Sequence, residues 1–381
     1  MYAIRGGKII TMDQPGIIND AMILIENDQI RQIDHSTQPP EGYTIIEAQG
    51  KFICPGFIDS HTHLGLEEEI YRIEGDDVNE ITNPVTPYLQ AVDGINYFDL
   101  GFTDALRGGI TRAMIMPGSA NILGGQATFF KTLASRPTDM IYKNPWGLKA
   151  ALGENPKRVY GAEKKTPQTR MASASLLREA LFKASRAIDK PDLNDGEAYA
   201  QAAIFKVLRR EMPLLLHVHR ADDIITALRI MDEFHIDLLI QHGTEAHLVA
   251  DELLKRNVGV FLGPLLVNRA KVEMKAVSFR NARLLAERGV NFSLITDHPV
   301  VPIEHLRVCA ALAVREGLSE EKALQALTIM PAKFLRVENE LGSIKAGKRA
   351  DLVIFNGHPL DFRSTVEAVF VDGLLWRNQL E

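Results

Sequence analysis

Cysteines are few in this sequence, and long apolar runs are missing. Only two of the 381 residues are cysteines, Cys54 and Cys309, and each lies in an apolar context. We therefore expect no disulfide framework, and we expect the protein to reside in a reducing compartment. No apolar run reaches the length of about eighteen residues that a membrane span needs, and the first residues lack the basic and then apolar pattern of a signal peptide. We expect a cytoplasmic protein without a membrane partner.

A dominant charge of one sign is missing as well. The formal net charge is -6, with 43 lysines and arginines against 49 aspartates and glutamates. The basic residues are spread along the chain rather than gathered in a stripe, so nucleic acid is not an expected partner. Hydrophobic residues make up 46% of the sequence, which is ample for a core, and the length suits one large α/β barrel with an accessory part. A small-molecule partner is expected, and a homo-oligomer is left open.

Both ends of the chain are rich in short β-prone segments. In the second of these regions, Asp372-Gly373 is a hairpin signal between two such segments. Two β-rich ends around a different middle predict one small β-sandwich formed by residues 1–50 and 345–381, with two unrelated edge hairpins as the alternative. Residues 51–344 then form a second domain.

The middle of the chain alternates strand-like and helix-like segments. Strands are predicted at 52–58, 111–116, 147–152, 213–219, 238–242, 258–262 and 291–297. An irregular insert at 67–96 and a glycine-containing loop at 117–126 interrupt the alternation. Alternating strands and helices are typical of a parallel sheet, so the predicted fold class is α/β.

Two histidines follow the first of these predicted strands. The motif Pro55-Gly56-Phe57-Ile58-Asp59-Ser60-His61-Thr62-His63 ends a buried, apolar run. Alternate residues of a strand point to the same side, so His61 and His63 can direct both imidazoles to one point beyond the carboxyl end of the strand. Neutral imidazole is a common ligand of zinc, iron and nickel. Taken alone, the motif is so short that two surface histidines explain it equally well.

Further side chains with ligand chemistry follow other predicted strands. They are Glu154, His217 with His219, His242, and Asp297. In a parallel barrel the carboxyl ends of the strands converge on one face, where active sites lie. A single one of these residues is better explained as a hydrogen-bonded rim residue or a helix cap. Five strand ends that deliver His, Glu or Asp to one rim instead predict a metal site.

These motifs resemble those of the amidohydrolase superfamily, in particular its imidazolonepropionase-like branch. The resemblance is carried by residues 55–63, Leu216-His217-Val218-His219, Ile240-Gln241-His242, Thr296-Asp297-His298-Pro299 and the closing segment 342–353. It covers nearly the whole chain and implies a distorted (β/α)8 TIM barrel with a small β-sandwich formed by both termini. The metal ligands that it implies are His61, His63, His219, His242 and Asp297.

The resemblance leaves two ligand positions open. In binuclear relatives a carboxylated lysine or a glutamate joins two ions, and the candidates here are Lys149 and Glu154. We favour Glu154 because a carboxylate binds metal without modification, while Lys149 also fits an ordinary strand-end lysine. Without such a bridge the site holds one ion. His219 matches the family ligand better than His217, which is then expected one layer deeper.

The implied activity is metal-dependent hydrolysis of a C–N bond other than a peptide bond, in a cyclic amide or an N-acyl amide. The expected cofactor is one or two divalent ions, with zinc preferred and manganese or iron as alternatives. Bound metal lowers the pKa of water to about 7, and Asp297 is the expected general base that passes the proton to the leaving nitrogen. Residues beside the predicted rim are candidates for substrate binding, with solvated loop positions as the alternative: Asn155, Arg158, Arg220 and His298.

Three other functions stay open at this point. An Xaa-Pro-type dipeptidase and a ring-amine deaminase of the same superfamily share the metal chemistry and differ in substrate. A non-catalytic barrel that only binds a ligand is the third. Such a protein is expected to have lost some metal ligands, and all five that the resemblance implies are present.

Overall fold

A computed structural model describes residues 1–35, 38–70, 73–188 and 194–378 of the chain. Within these residues the strands form three sheets, of four, eight and six strands. The eight-stranded sheet forms the wall of a barrel, the four-stranded sheet is built from the first part of the chain, and the six-stranded sheet combines segments from both ends. This architecture agrees with the predicted fold class.

The strands that precede the barrel belong to the two smaller sheets. They are β1 (Tyr2–Arg5), β2 (Lys8–Ile10), β3 (Ile17–Asn19), β4 (Met22–Glu26), β5 (Gln29–Asp34), β6 (Thr44–Glu47) and β7 (Phe52–Pro55). The four-stranded sheet has the order β5-β4-β1-β6. Isoleucines from both sheets, among them Ile4, Ile23 and Ile53, pack into one buried core. Their branched side chains suit the pleated inner surfaces of two facing sheets.

The eight-stranded sheet nearly closes into a barrel. Its strands are β8 (Phe57–Thr62), β9 (Ile110–Ile115), β10 (Leu123–Lys131), β11 (Ile141–Ala151), β12 (Leu214–Val218), β13 (Leu238–His242), β14 (Val260–Leu262) and β15 (Phe292–Leu294). They lie side by side in chain order. The first and last strands meet just beyond their ends, where the Asp297 N–H donates to the His61 carbonyl at 3.2 Å and the His63 N–H donates to the His298 carbonyl at 2.8 Å. The seam of the barrel therefore lies at the predicted metal ligands.

Strand β10 distorts the barrel, because it runs antiparallel to both β9 and β11. The sequence predicts a loop at 117–126, and the structure shows that a strand begins inside this range. Gly125 has a φ of +125°, and a Cβ there would lie 2.8 Å from the carbonyl oxygen of Leu89. The Gln126 N–H donates to the same carbonyl at 2.8 Å. Glycine thus allows the irregular insert to pack directly on the strand, and the loop signal of the glycines hides the strand.

Helices cover the barrel wall. They are α1 (Leu100–Arg107), α2 (Glu154–Ala162), α3 (Arg170–Ala187), α4 (Asp195–Leu208), α5 (Ala221–Phe234), α6 (Ala250–Lys255), α7 (Arg280–Glu287), α8 (Leu306–Arg315), α9 (Glu320–Leu327) and α10 (Ile329–Phe334). Short 3-10 helices lie at Ile73–Gly75, Ala91–Asp93, Pro137–Met140, Ala246–Val249, Val272–Met274 and Ile303–His305. The predicted insert at 67–96 holds the first two of these, and its residues 71 and 72 lie outside the described part. Among the described helices, none combines the length and the apolar character needed to cross a membrane.

The chain ends in the six-stranded sheet. Its last strands are β16 (Leu352–Phe355), β17 (Val366–Val371) and β18 (Leu374–Arg377), in the order β18-β17-β16-β7-β2-β3. Strand β16 pairs antiparallel with β7, so segments from both ends of the chain are neighbours. Asp372 and Gly373 form the predicted turn between β17 and β18. Strand β7 lies past residue 50 and still belongs to the sandwich, while the division of the chain into two domains stays a prediction.

Apolar side chains fill the end of the barrel opposite the metal ligands. Residues near the starts of the strands, including Ile58, Leu215 and Phe261, pack there against Leu335 and Leu341 from the segment after α10. The indole N–H of Trp146 donates to the Leu335 carbonyl at 3.1 Å. This packing leaves the carboxyl ends of the strands as the open face of the barrel.

Gly56 connects the sandwich to the barrel. The sequence predicts one strand at 52–58, whereas the structure has two, β7 and β8, which belong to different sheets and meet at Gly56. A Cβ at Gly56 would lie 2.2 Å from Oγ1 of Thr111, a fully buried residue of β9. The chain therefore passes from one sheet to the other at a point where no side chain fits.

We expect Gly56→Ala to lower the free energy of unfolding by about 1–3 kcal/mol or more, because the added methyl group overpacks this contact. Urea unfolding of the purified protein measures the loss. Gly161→Ala is the control, since its Cβ would meet nothing closer than Cγ of Gln168 at 3.8 Å. Equal stability of the Gly56 variant and the wild type would contradict the crowded connection.

Candidate metal centre

The predicted ligands gather at the carboxyl ends of the barrel strands. His61 lies near the end of β8 with His63 just beyond it, His242 is the last residue of β13, and His219 and Asp297 follow β12 and β15. All four histidines are buried, and Asp297 is half-buried. Local strand geometry thus places five separate side chains in one region, as the strand-end pattern predicts.

Asp297 faces the two histidines of the first strand. Its Oδ1 lies 3.0 Å from Nε2 of His61 and 3.4 Å from Nε2 of His63. Ligand atoms of His61, His242 and Asp297 lie within 4.8 Å of one another, which is close enough for one cation. Asp297 and His242 both have left-handed backbones, with φ of 57° and 72°. Such conformations in residues other than glycine persist where the surroundings hold them, and they concentrate at functional sites.

A second group of imidazoles adjoins the first. Ligand atoms of His217, His219 and His242 also lie within 4.8 Å of one another, so His242 belongs to both groups. The rings of His217 and His242 have centroids 4.3 Å apart. From the sequence we predict that His217 lies one layer deeper in the barrel than the metal ligands. The structure instead places it in the same group as His219.

The ring nitrogens directed away from the site are hydrogen-bonded. The Nδ1 atoms and their partners are His61 with Gln241 Oε1 at 2.6 Å, His63 with the Met116 carbonyl at 2.8 Å, His219 with Thr244 Oγ1 at 2.7 Å and His242 with the Gly263 carbonyl at 2.8 Å. The oxygens of Gln241, Met116 and Gly263 can only accept, so His61, His63 and His242 donate through Nδ1 and present Nε2 to the site. Histidines that bind metals are commonly oriented in this way.

Burial keeps the imidazoles of His61, His219 and His242 uncharged. Desolvation lowers the pKa of His61 and of His219 to about 4, and it lowers the pKa of His242 well below its ordinary value. Burial alone would raise the pKa of Asp297, but the neighbouring His242, His61 and His63 hold that pKa well below its usual range. The centre therefore offers neutral nitrogen ligands and a carboxylate at neutral pH, which is the donor set for a divalent transition metal.

Lys149 and Glu154 occupy different environments. Lys149 is fully buried in β11, its Nζ lies 3.5 Å from Nε2 of His61, and burial lowers its pKa to about 7. Glu154 is the first residue of α2, and its Oε2 accepts a hydrogen bond from the Glu273 N–H at 3.3 Å. The structure therefore brings Lys149 to the imidazoles and does not bring Glu154. The preference for Glu154 as the bridging ligand stays a prediction; the structure begins α2 where the sequence predicts a loop and places this carboxylate beside the Glu273 N–H.

Glu273 is a buried residue of this region that the sequence pattern misses. Its Oε1 lies 3.7 Å from Nε2 of His217 and 3.9 Å from Nε2 of His219. It belongs to the 3-10 helix Val272–Met274, well past the end of β14. No strand end or spacing marks this position, so nothing in the local sequence distinguishes Glu273 from a surface glutamate.

A cavity of about 550 Å³ opens above the centre. Its wall includes His63, His217, His219, Asp297, Asn155, Ser119 and Lys271. Of the predicted substrate-binding residues, Asn155 lies in this wall. The described structure places the other three elsewhere: Arg158 is exposed on α2, Arg220 pairs with Asp222 at 2.7 Å, and His298 is buried below with its Nδ1 accepting from the Ile303 N–H. Charged residues next to a rim in sequence need not face it, because the helix that follows each strand turns them outward.

Residues 52–375 match the model of the amidohydrolase family, and the chain belongs to this family. Over nearly its full length it is similar to a solved structure of an amidohydrolase from Thermotoga maritima MSB8, with 40% identity, a TM-score of 0.94, and coverage of 99% of this chain and 100% of that one. It is 25% identical to the imidazolonepropionase of Picrophilus torridus, covering 93% of this chain and 91% of that protein. It is 28% identical to amidohydrolase tasK of Hapsidospora irregularis over 92% of this chain, which spans only 39% of that longer protein.

These similarities confirm the predicted superfamily, the distorted barrel with its terminal sandwich, and the class of protein, a hydrolytic enzyme. The described residues also contain His and Asp groups that can bind a metal ion. The ligand assignments, the substrate and the identity of the metal stay predictions.

Proposed function

We propose that the protein is a metal-dependent hydrolase of a non-peptide C–N bond in a cyclic amide or an N-acyl amide. The observation that carries the proposal is the placement of Asp297, whose Oδ1 faces Nε2 of both His61 and His63 at the wall of the cavity. A half-buried carboxylate that faces two imidazoles has little structural purpose, since burying ionic groups is costly. At a cavity wall, the same arrangement suits a cation and a proton acceptor.

The residues present fit a divalent ion. His61, His63, His242 and Asp297 would hold it, and His219 lies next to them. Nitrogen and oxygen donors of this kind suit zinc best, with manganese and iron as alternatives. When bound, such an ion lowers the pKa of a bound water to about 7. Lys149 replaces Glu154 as the candidate for a group that joins two ions, because its amine lies 3.5 Å from Nε2 of His61.

The side chains of this chain supply the proton transfer and the binding of the substrate. Asp297 Oδ1 accepts a proton from the attacking water and passes it to the leaving nitrogen as the C–N bond breaks and the water oxygen joins the carbonyl carbon. The side-chain N–H of Asn155 donates to Ser119 Oγ at 2.7 Å, and its buried Oδ1 has no partner. This free acceptor in the cavity wall suits the N–H of an amide substrate.

We expect removal of the metal to abolish hydrolysis. Addition of at least one of the divalent metals tested is expected to restore it. The protein is treated with a chelator such as dipicolinate, its metal content is measured by mass spectrometry, and turnover is compared before and after addition of zinc, manganese or iron(II). Exchange into buffer without chelator is the control. Full activity in a protein shown to be free of metal would contradict the proposal.

The substrate class is tested with a panel of cyclic ureides, N-acyl amino acids, Xaa-Pro dipeptides and ring amines. We expect turnover of the first two groups. Turnover of dipeptides alone would instead identify a dipeptidase, and release of ammonia from ring amines alone would identify a deaminase. A metal-loaded protein that turns over none of these groups would favour the non-catalytic barrel. The cytoplasmic location and a homo-oligomeric state remain predictions.

A further inference from the structure

Lys271 is a cation in the cavity wall that has no anionic partner. It lies between β14 and the 3-10 helix Val272–Met274, is half-buried, and lines the cavity above the metal centre. Among the residues that the structure describes, no carboxylate forms an ion pair with its ammonium group. A charge in the wall of a cleft attracts ions of opposite sign into that cleft, because the surrounding protein focuses its field. The cavity therefore favours a ligand with an anionic group.

The nearby carboxylate of Glu273 is directed to other groups than Lys271. Its Oε2 accepts from the Glu154 N–H at 2.9 Å, and its Oε1 faces Nε2 of His217 and of His219 at 3.7 Å and 3.9 Å. Burial is the main cause of the lowered pKa of both histidines, and the positive charge of Lys271 adds to it. Lys271 thus acts on the side of the cavity that these two imidazoles form.

Asn155 offers a hydrogen-bond acceptor on the same side. The residue is 7% exposed, its Nδ2 donates to Ser119 Oγ at 2.7 Å, and the same nitrogen lies 3.5 Å from Nε2 of His217. Its Oδ1 is buried and has no partner. Nearly all buried polar atoms in native proteins are hydrogen-bonded, so this oxygen calls for a donor from a molecule in the cavity.

Glu67 makes the other side of the cavity unfavourable for an anion. It is half-buried in the cavity wall, and its backbone N–H donates to the His63 carbonyl at 3.0 Å. No basic side chain in the described part of the chain forms an ion pair with it. Glu67 would repel a substrate carboxylate from the His63 side, whereas Lys271 would attract it to the His217 side. Charges placed in this way orient a ligand.

We propose that the substrate carries a carboxylate on the carbon next to its amide nitrogen, as an N-acyl-α-amino acid does, and that Lys271 binds this carboxylate while Asn155 Oδ1 accepts the amide N–H. One carbon atom separates the two groups in such a substrate, and both residues act beside His217. The acyl carbon, on the far side of the nitrogen, then faces Asp297 and His63. The inference rests on the proposed function and narrows its substrate class.

The wall beside Lys271 also indicates the kind of amino acid. The same segment of the chain contributes apolar residues to the cavity: Pro264, Leu266, Val267 and Met274. The side chain of an α-amino acid is attached to the carbon that carries the carboxylate, so it lies close to this segment when Lys271 holds the carboxylate. Apolar walls of this kind favour an apolar group, and N-acetylleucine is the probe that follows.

N-acetylleucine and N-acetylleucinamide differ only in the replacement of the carboxylate by a neutral amide, and they test the assignment. We expect the wild type to prefer the acid. We expect Lys271→Met to lower kcat/KM for the acid about 10–100-fold, chiefly through a higher KM, so that the preference is lost, because a hydrogen bond between charged groups disappears. Lys271→Arg is expected to restore most of the preference. Lys275→Met is the control, since Lys275 is exposed and lies outside the cavity wall.

N-acetyl-N-methylleucine tests the acceptor, because it lacks the amide N–H and is expected to bind more weakly than N-acetylleucine. Equal binding of these two compounds would refute the role of Asn155. An undiminished preference for the acid in Lys271→Met, or equal binding of acid and amide by the wild type, would overturn the carboxylate site. Circular dichroism verifies folding, and Lys271→Gln replaces the methionine variant if that variant does not fold.

The outcome is separable from the test of the proposed function. If the wild type hydrolyses neither probe, the same comparisons are made on dissociation constants from calorimetric titration of the metal-loaded protein, and absence of binding of the acid would also overturn the site. A protein that hydrolyses acid and amide equally well refutes only the carboxylate site. A protein that binds the acid through Lys271 without turnover refutes only the reaction.

Discussion

We expect Asp297→Asn to lower kcat about 10³–10⁴-fold, with little change in the free energy of unfolding. Asparagine retains the size of the side chain and tolerates the left-handed backbone of this position, where φ is 57°. It cannot accept the proton of the attacking water, and general acid–base catalysis of this kind is worth about 10²–10⁴-fold. The loss of a charged ligand from the cation at His61 and His63 adds to the effect.

Steady-state kinetics on a substrate found with the amide panel, together with thermal unfolding, measure this change. Metal content is determined in parallel, so that loss of the ion is distinguished from loss of the proton acceptor. Asp222→Asn is the control, since that aspartate lies next to the rim but pairs with Arg220 at 2.7 Å. Full hydrolysis by the Asp297 variant would refute the assigned mechanism.

The second large effect is expected for the stability of the protein. Arg112 lies in β9 and is fully buried. Its Nε lies 3.0 Å from Oδ2 of Asp351, and its Nη2 lies 2.5 Å from Oδ1 of Asp372. Asp351 immediately precedes β16, and Asp372 lies in the turn after β17. One arginine of the barrel thus pairs with two carboxylates that flank strands of the sandwich.

We expect Arg112→Met to lower the free energy of unfolding by about 3–5 kcal/mol, because it leaves the buried carboxylate of Asp351 without its counter-charge, while Asp372 keeps Lys131 and Arg349 as partners. Urea unfolding followed by circular dichroism and by tryptophan fluorescence measures the loss. Arg136→Met is the control, as Arg136 pairs with Asp139 at 2.9 Å on the surface, where such pairs contribute about 0–1 kcal/mol. If Arg112→Met lowers the free energy of unfolding no more than the control does, the buried ion pairs do not stabilise the contact between barrel and sandwich.

The candidate centre could be predicted where its residues follow strands. His61, His63, His219, His242 and Asp297 each lie at the end of an apolar run, and parallel strands in a barrel bring such ends together whatever the intervening sequence. The sequence therefore indicates both the residues and their convergence. Glu273 escapes this reasoning, because the fold of a loop brings it to the histidines, and a loop has no periodicity that reveals its direction.

Glu154 shows how a local signal can mislead. Gly153 and Pro156 favour a loop, yet proline is well tolerated in the first turn of a helix, where its missing N–H is not needed. The helix α2 therefore begins at Glu154, and the carboxylate of this residue accepts from the Glu273 N–H. The antiparallel strand β10 is missed for a similar reason. Gly124 and Gly125 predict a turn, whereas in the structure they lie in the strand, and Gly125 lets the insert at 67–96 pack against it.

The pairing of β7 with β16 has a consequence for synthesis of the protein on the ribosome. Strand Phe52–Pro55 emerges early, and its antiparallel neighbour Leu352–Phe355 emerges about three hundred residues later. Until then one edge of β7 is bare, and a bare strand edge is a template for association with other chains. The nascent protein therefore carries an exposed edge through most of its translation, and slow decoding or premature release before residue 352 is expected to yield aggregates rather than a shorter folded product.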